Sequence, residues 1–196
     1  MISMPGIVLA AGASSRMRQP KALLRLPTGV VFVKQIVRTL DDAGVTPIVI
    51  VTRQAIEADV RRELDGERCL VVVNPDPDRG QLSSLRVGLA SLDSPGAVLM
   101  TLVDSPLVRV DTVAALVSKW DQTRAPLVRP VHSGRNGHPV IFGADAIAAL
   151  LETDVAAGAK PVIRRFAARE APLAVSDDGV LIDVDTAAEY DRLLNS

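Results

Sequence analysis

The sequence has 196 residues, 22 Lys and Arg against 23 Asp and Glu, 48% hydrophobic but only 3% aromatic residues, and one cysteine. That length predicts a single domain, residues 1–196, with an aliphatic core, and the net charge of −1 argues against a nucleic-acid or membrane-binding face. A lone cysteine rules out an internal disulfide, and with no membrane-length apolar run and no signal-peptide pattern the expected location is the cytoplasm.

Four apolar runs, at 6–10, 47–51, 70–73 and 97–103, lack polar alternation and read as strands buried on both faces. Helical periods separate them. Phe32, Ile36, Val37 and Leu40 form the first stripe, closed by Gly44; Ile56, Val60 and Leu64 form the second, closed by Gly66. Leu82, Leu85, Leu89 and Leu92 make a third stripe, and Val113, Leu116, Val117 and Trp120 a fourth that Asp111 is expected to cap. Alternating strand and helix predicts an α/β fold: a three-layer, doubly wound, mostly parallel, Rossmann-like sheet. Two more strands are expected at 127–131 and 139–142, joined by a polar turn at 132–138. Pro161 is expected to open a short helix, and Thr186 with Glu189 a capping box for a last helix holding Tyr190, Leu193 and Leu194 inward. Cys69, Trp120 and Met17 read as structural.

In such sheets ligands sit beyond the carboxyl ends of the strands. The first strand runs into Leu9-Ala10-Ala11-Gly12-Ala13-Ser14-Ser15-Arg16-Met17-Arg18-Gln19-Pro20-Lys21. Small residues expose the backbone, Gly12 permits unusual dihedrals, Ser14 and Ser15 offer hydroxyls, and Arg16 and Lys21 bring positive charge. Together they can cradle a polyphosphate; the same residues are also ordinary turn chemistry. Neither a Rossmann fingerprint nor a P-loop is present. The segment 74–80 and Asp104 open onto the same edge. Asp104, before Ser105-Pro106, can hold a divalent cation or cap a turn. Asp183 and Asp185 alternate, so only one faces a shared site. Ser83 and Ser84 stand near a helix start, where they can bind a ligand or cap the helix. On the polar turn, His132, Arg135, Gly137 and His138 offer an anion or ring contact, His138 with clearance from Gly137.

Leu-Ala-Ala-Gly-x-Ser-x-Arg-Met-x-x-x-Lys resembles the signature of nucleotidyltransferases with the nucleotide-diphosphosugar transferase fold, and within them the molybdenum cofactor cytidylyltransferases. Gly80-Gln81-Leu82-Ser83-Ser84-Leu85, Val103-Asp104-Ser105-Pro106, Gly137-His138-Pro139-Val140-Ile141-Phe142 and Asp183-Val184-Asp185-Thr186 agree in type and order, so the likeness covers nearly the whole chain. The resemblance implies transfer of CMP from CTP to the phosphate of a molybdopterin-type cofactor, with Mg²⁺. It makes Leu9, Ala10, Ala11, Gly12, Ser14, Ser15, Arg16, Lys21, Ser83 and Ser84 nucleotide-binding residues. Asp104 and Asp185 become metal ligands, and Arg16, Lys21 and Asp104 the catalytic set. Arg135, Gly137 and His138 are the expected acceptor contacts. Ala11 stands where guanylyl-transferring relatives usually have Gly, which favours the smaller base. Two other readings stand beside this one. The first is a non-catalytic accessory protein delivering the cofactor to a molybdoenzyme, and the second an NAD(P)H-dependent oxidoreductase.

Overall fold

The computed structural model describes residues 4–14, 17 and 19–195. In chain order the first half runs β1 (Met4–Leu9), α1 (Phe32–Asp42), β2 (Val45–Arg53), α2 (Glu57–Glu63), β3 (Leu70–Asn74), α3 (Gln81–Ala90), β4 (Ala97–Leu102) and α4 (Val110–Thr123). The second half runs β5 (Leu127–His132), β6 (Arg135–Asn136), β7 (Val140–Gly143), α5 (Ala144–Glu152), α6 (Lys160–Phe166), β8 (Glu170–Ala174) and α7 (Ala187–Leu194).

The sheet order is β3-β2-β1-β4-β7-β5-β6, with β8 paired to β5. The first four strands are parallel; β7 inserts antiparallel between β4 and β5, and β8 runs parallel to β5. Strand parity sets the layers. Val8 and Ile50 face one side with Ile36, Leu40, Val60, Val113 and Leu116, the buried stripes of α1, α2 and α4. Ile7, Val49 and Met100 face the other with Leu82, Leu85, Leu89, Leu150 and Phe166, from α3, α5 and α6. Both Ile7 and Val8 are wholly buried, which is why the run reads as apolar throughout rather than alternating. Each such side chain contributes about 1.5–3 kcal/mol by leaving water. A smaller cluster of Leu24, Leu26, Phe32 and Val184 takes Tyr190 and Leu193 from α7 against its edge.

Several local expectations change. Asp111 is the second residue of α4, whose cap position is Arg109; the backbone N–H of Arg109 donates to buried Asp177 instead. Pro161 is the second residue of α6, not the first. Leu194 points outward at 43% exposure. Residues 183–185 form no strand. The capping box at Thr186 and Glu189 is present, with the Glu189 carboxylate accepting from the Thr186 N–H at 2.8 Å. Among the described residues no helix is long and apolar enough to cross a membrane.

Candidate active site

Beyond the carboxyl ends of β1 and β4 lies a cleft of about 430 Å³, walled by residues 9–14, Lys21, Ile56, Pro77, Asp78, Gly80, Gln81, Ser84, residues 102–104 and Asp185. β1 continues into its wall because the Ala10 N–H donates to Val51 O at 2.8 Å and the Val103 N–H to Leu9 O at 3.2 Å. The loop then bends. Ser14, not Gly12, takes the left-handed conformation, at φ 49°, and its carbonyl accepts from the Met17 N–H. The Ser14 hydroxyl accepts from the Lys21 N–H at 3.0 Å, so the start and end of the loop are tied together. A positive φ at a non-glycine residue is held against its intrinsic preference by such contacts. Gly12 has a different reason. A Cβ built there meets nothing within 4 Å, and Gly12 lines the cleft, so a side chain would enter space left for a ligand. Ser15 and Arg16, expected nucleotide contacts, lie outside the described residues.

Asp104 follows β4, and its Oδ2 accepts from Lys21 Nζ at 2.9 Å; Lys21 Nζ also donates to Asp185 Oδ1. Two loops are laced to hold this spacing. The Val184 N–H donates to Asp104 O at 2.9 Å, and the Ser105 hydroxyl donates to Asp183 Oδ1 at 2.6 Å. Asp185 therefore faces the cleft while Asp183 turns to Ser105. Only one of the two faces the cleft, as alternation predicts, although no strand enforces it and the choice of Asp185 rested on the motif resemblance. Asp104 Oδ1 is buried and has no hydrogen-bond partner. Burial raises the Asp104 carboxyl above its usual value, Lys21 pulls it down, and Asp183 and Asp185 push it up. Burial would lower the Lys21 ammonium, but hydrogen bonds to Asp185 and Asp104 outweigh it and the net shift is upward.

Among the described lining residues Lys21 is the only cation, against the carboxylates of Asp78, Asp104 and Asp185. A polyanion cannot settle there without further positive charge. Two carboxylates on facing loops, one with an orphaned buried oxygen, suit Mg²⁺, which takes one or two carboxylates and fills its shell with water and phosphate oxygens. Among the described residues no group of three or more His, Cys, Asp or Glu is arranged to hold a metal by itself. The donor set fits a metal that arrives with a phosphate.

The two serines of α3 separate. Ser84 lines the cleft, and its hydroxyl accepts from buried Asn74 Nδ2 at 3.0 Å. The Ser83 hydroxyl is taken up by the chain itself: it donates to Asp76 O and Gly80 O and accepts from Asn74 Nδ2. Ser83 thus ties the first turn of α3 to the loop before it, without capping the helix, and is not among the cleft residues. Pro77, Asp78, Gly80 and Gln81 line the cleft instead; the segment 74–80 was expected at this edge, but none of these residues was singled out as a contact. The available signal was Gly80 immediately before a helix, at the carboxyl end of the third strand.

Arg135, Gly137 and His138 do not line the cleft, and from the second half only Asp185 does among the described residues. Arg135 is exposed on β6. The clearance at Gly137 is filled by the protein: a Cβ there would stand 2.2 Å from Val180 O, to which the His138 N–H donates. His138 is half-buried. Burial lowers its imidazole below its usual value, Asp183 and Asp104 oppose that, and Arg129 adds to it.

The model of the MobA-like NTP transferase domain matches residues 6–172. The chain belongs to this family. This MobA-like domain is a nucleotidyltransferase. It is 32% identical over 206 residues to nicotine blue oxidoreductase of Paenarthrobacter nicotinovorans, covering 96% of this chain and 95% of that protein. Over 135 residues it is 27% identical to the molybdenum cofactor cytidylyltransferase of Escherichia coli K12, covering 69% and 67%. Rv0371c from Mycobacterium tuberculosis H37Rv superposes on the MobA-like domain with a TM-score of 0.80 at 25% identity, over 99% of this chain and 98% of that one. Its manganese complex does so with a TM-score of 0.76.

Proposed function

We propose that this nucleotidyltransferase transfers CMP from CTP to the terminal phosphate of a molybdopterin-type cofactor and releases pyrophosphate. The observation that carries the reading is the paired carboxylates Asp104 and Asp185, one with a buried unpartnered oxygen, at the floor of a cleft walled by backbone and small side chains. An oxygen of the acceptor phosphate forms a bond to the α-phosphorus of CTP as the bond to the β-phosphate oxygen breaks. The second pKa of such a phosphate is about 6, so at neutral pH the nucleophile is already an anion and no general base is needed. The obstacle is repulsion between anions, about 4 kcal/mol per unit-charge pair at 4 Å in an effective dielectric near 20. Mg²⁺, when bound, neutralises charge between the reacting phosphates and polarises the phosphoryl oxygens. Asp104 and Asp185 would hold it. Residues 9–14 present small side chains and backbone to the nucleotide, Arg16 adds charge to the loop, and Lys21 meets the outer phosphates.

Ala11 supports CTP over GTP. It lines the cleft, and a methyl there is proposed to crowd a purine more than a pyrimidine. For the acceptor, His138 and Arg135 are offered as contacts on the turn beyond Asp183, with neutral His138 orienting the ring. Purified protein with CTP, Mg²⁺ and purified molybdopterin should release pyrophosphate in proportion to cytidylylated pterin. Absence of both with active acceptor in hand would refute the reading. The likeness to nicotine blue oxidoreductase, which spans nearly the whole chain, favours a second reading as a nicotinamide-dependent reductase. Titration with NADPH, followed by absorbance and fluorescence, separates the two.

A further inference from the structure

We infer that Lys21 is the resting counter-cation of the carboxylate pair, so that the free protein holds divalent metal weakly and the metal enters as Lys21 swings to the nucleotide's phosphates. The inference rests on the proposed role of Asp104 and Asp185 as metal ligands. Lys21 Nζ touches one oxygen from each carboxylate, which is the position a bridging cation must occupy. Two positive charges cannot share that position, because repulsion rises as the inverse of distance. Metal and ammonium therefore compete for the same oxygens.

The backbone at Lys21 cannot follow the side chain away. Its N–H is tied to Ser14 Oγ, it opens the short turn Lys21–Leu23, and neighbouring Ala22 is 1% exposed in the core. Movement is confined to the four-carbon stem, the flexible carrier of a compact charge. Within the stem's reach the alternative partners are the phosphates of a bound nucleotide, since Lys21 and residues 10–14 line one cleft. While Lys21 is engaged, Asp104 Oδ1 stays unpartnered and marks where the incoming metal first binds. A triphosphate that draws Lys21 off the carboxylates raises metal affinity, and by linkage the metal raises triphosphate affinity by the same factor. Lys21 thus couples the two ligands and offsets one of the pair's two negative charges when neither is present.

The test is Mn²⁺ binding to the protein without nucleotide, read by the loss of the free-ion electron paramagnetic resonance signal at fixed pH. Lys21→Met, similar in length and uncharged, should bind Mn²⁺ about tenfold or more tightly than wild type. Lys21→Gln is the second variant, and circular dichroism checks that both are folded. Adding Asp104→Asn to Lys21→Met should abolish the gain. Equal Mn²⁺ affinity in wild type and both variants, lost with Asp104→Asn, overturns the inference and leaves the carboxylate metal site standing. Binding that ignores Asp104→Asn in every background removes the metal site and the inference with it.

Discussion

At the carboxyl ends of β1 and β4 a buried carboxylate oxygen is left open, whereas in the antiparallel half the chain's own donors close on the carboxylates of Asp177 and Glu170. Asp104 keeps one buried oxygen without a partner, and Gly12 faces empty space. Across the sheet, buried Asp177 accepts from the Arg109 and Gly179 N–H groups and from the Thr112 hydroxyl. Arg129 forks onto both oxygens of Glu170, and the space at Gly137 is taken by Val180. Breaking a buried charge network that the chain itself satisfies is destabilising, whereas a half-satisfied carboxylate keeps capacity for something that binds. Substitutions in the two regions should accordingly separate, the first losing function at constant stability and the second losing stability at constant binding.

The largest effect is expected from Asp104→Asn. Removing one charge from the site should lower turnover by about 10²-fold or more, with the melting temperature little changed. Steady-state pyrophosphate release and a thermal melt measure the two sides; comparable losses in both would break the contrast. Gly137→Val should do the reverse. Its side chain would overlap the Val180 carbonyl, so chemical denaturation should show a loss of about 1–3 kcal/mol or more while folded protein keeps its affinity for CTP.

Ala11→Gly should be milder still and touch selectivity alone. Opening the wall should narrow the ratio of CTP to GTP turnover by roughly tenfold, with CTP turnover itself held. A ratio that stays put would remove Ala11 from base selection. The smallest effect concerns His138. Its folded pKa is lowered by burial, so the neutral form stabilises the fold above the unfolded value of 6.5 and this contribution is lost as pH falls below it. Melting temperatures in EDTA should therefore fall with acidification less steeply in His138→Gln than in wild type.

How legible the molecule was follows the same division. The parallel half is readable because its strands write unbroken apolar runs at 6–10, 47–51, 70–73 and 97–103, each within about three residues of a strand boundary, although the edge strand β3 leaves Leu70 49% exposed and is not buried on both faces as expected. The loop after β1 and Asp104 came from the same strand-end logic and a motif of small and charged residues, while the preference for Asp185 over Asp183 came from the family resemblance alone. What stayed hidden depends on partners distant in sequence. Ser83 and Ser84 are identical neighbours at a helix start, and only the carbonyls of Asp76 and Gly80 decide that the Ser83 hydroxyl is taken up by the preceding loop and not by the cleft. Gly137 looks the same whether a ligand or Val180 fills the space beside it. Asp111 lies inside α4 and accepts the N–H of its neighbour Thr112, while Asp177, 66 positions later by number, takes the Arg109 N–H and the Thr112 hydroxyl.

The most direct measurement of the central idea, a cleft that takes a nucleoside triphosphate through a metal held by Asp104 and Asp185, is a thermal-shift panel of CTP, GTP and NADPH with Mg²⁺ or EDTA. CTP with Mg²⁺ should raise the melting temperature most, EDTA should erase most of that rise, and Asp104→Asn should behave as wild type in EDTA. Stabilisation by NADPH alone, or by CTP to the same extent with and without metal, would contradict it.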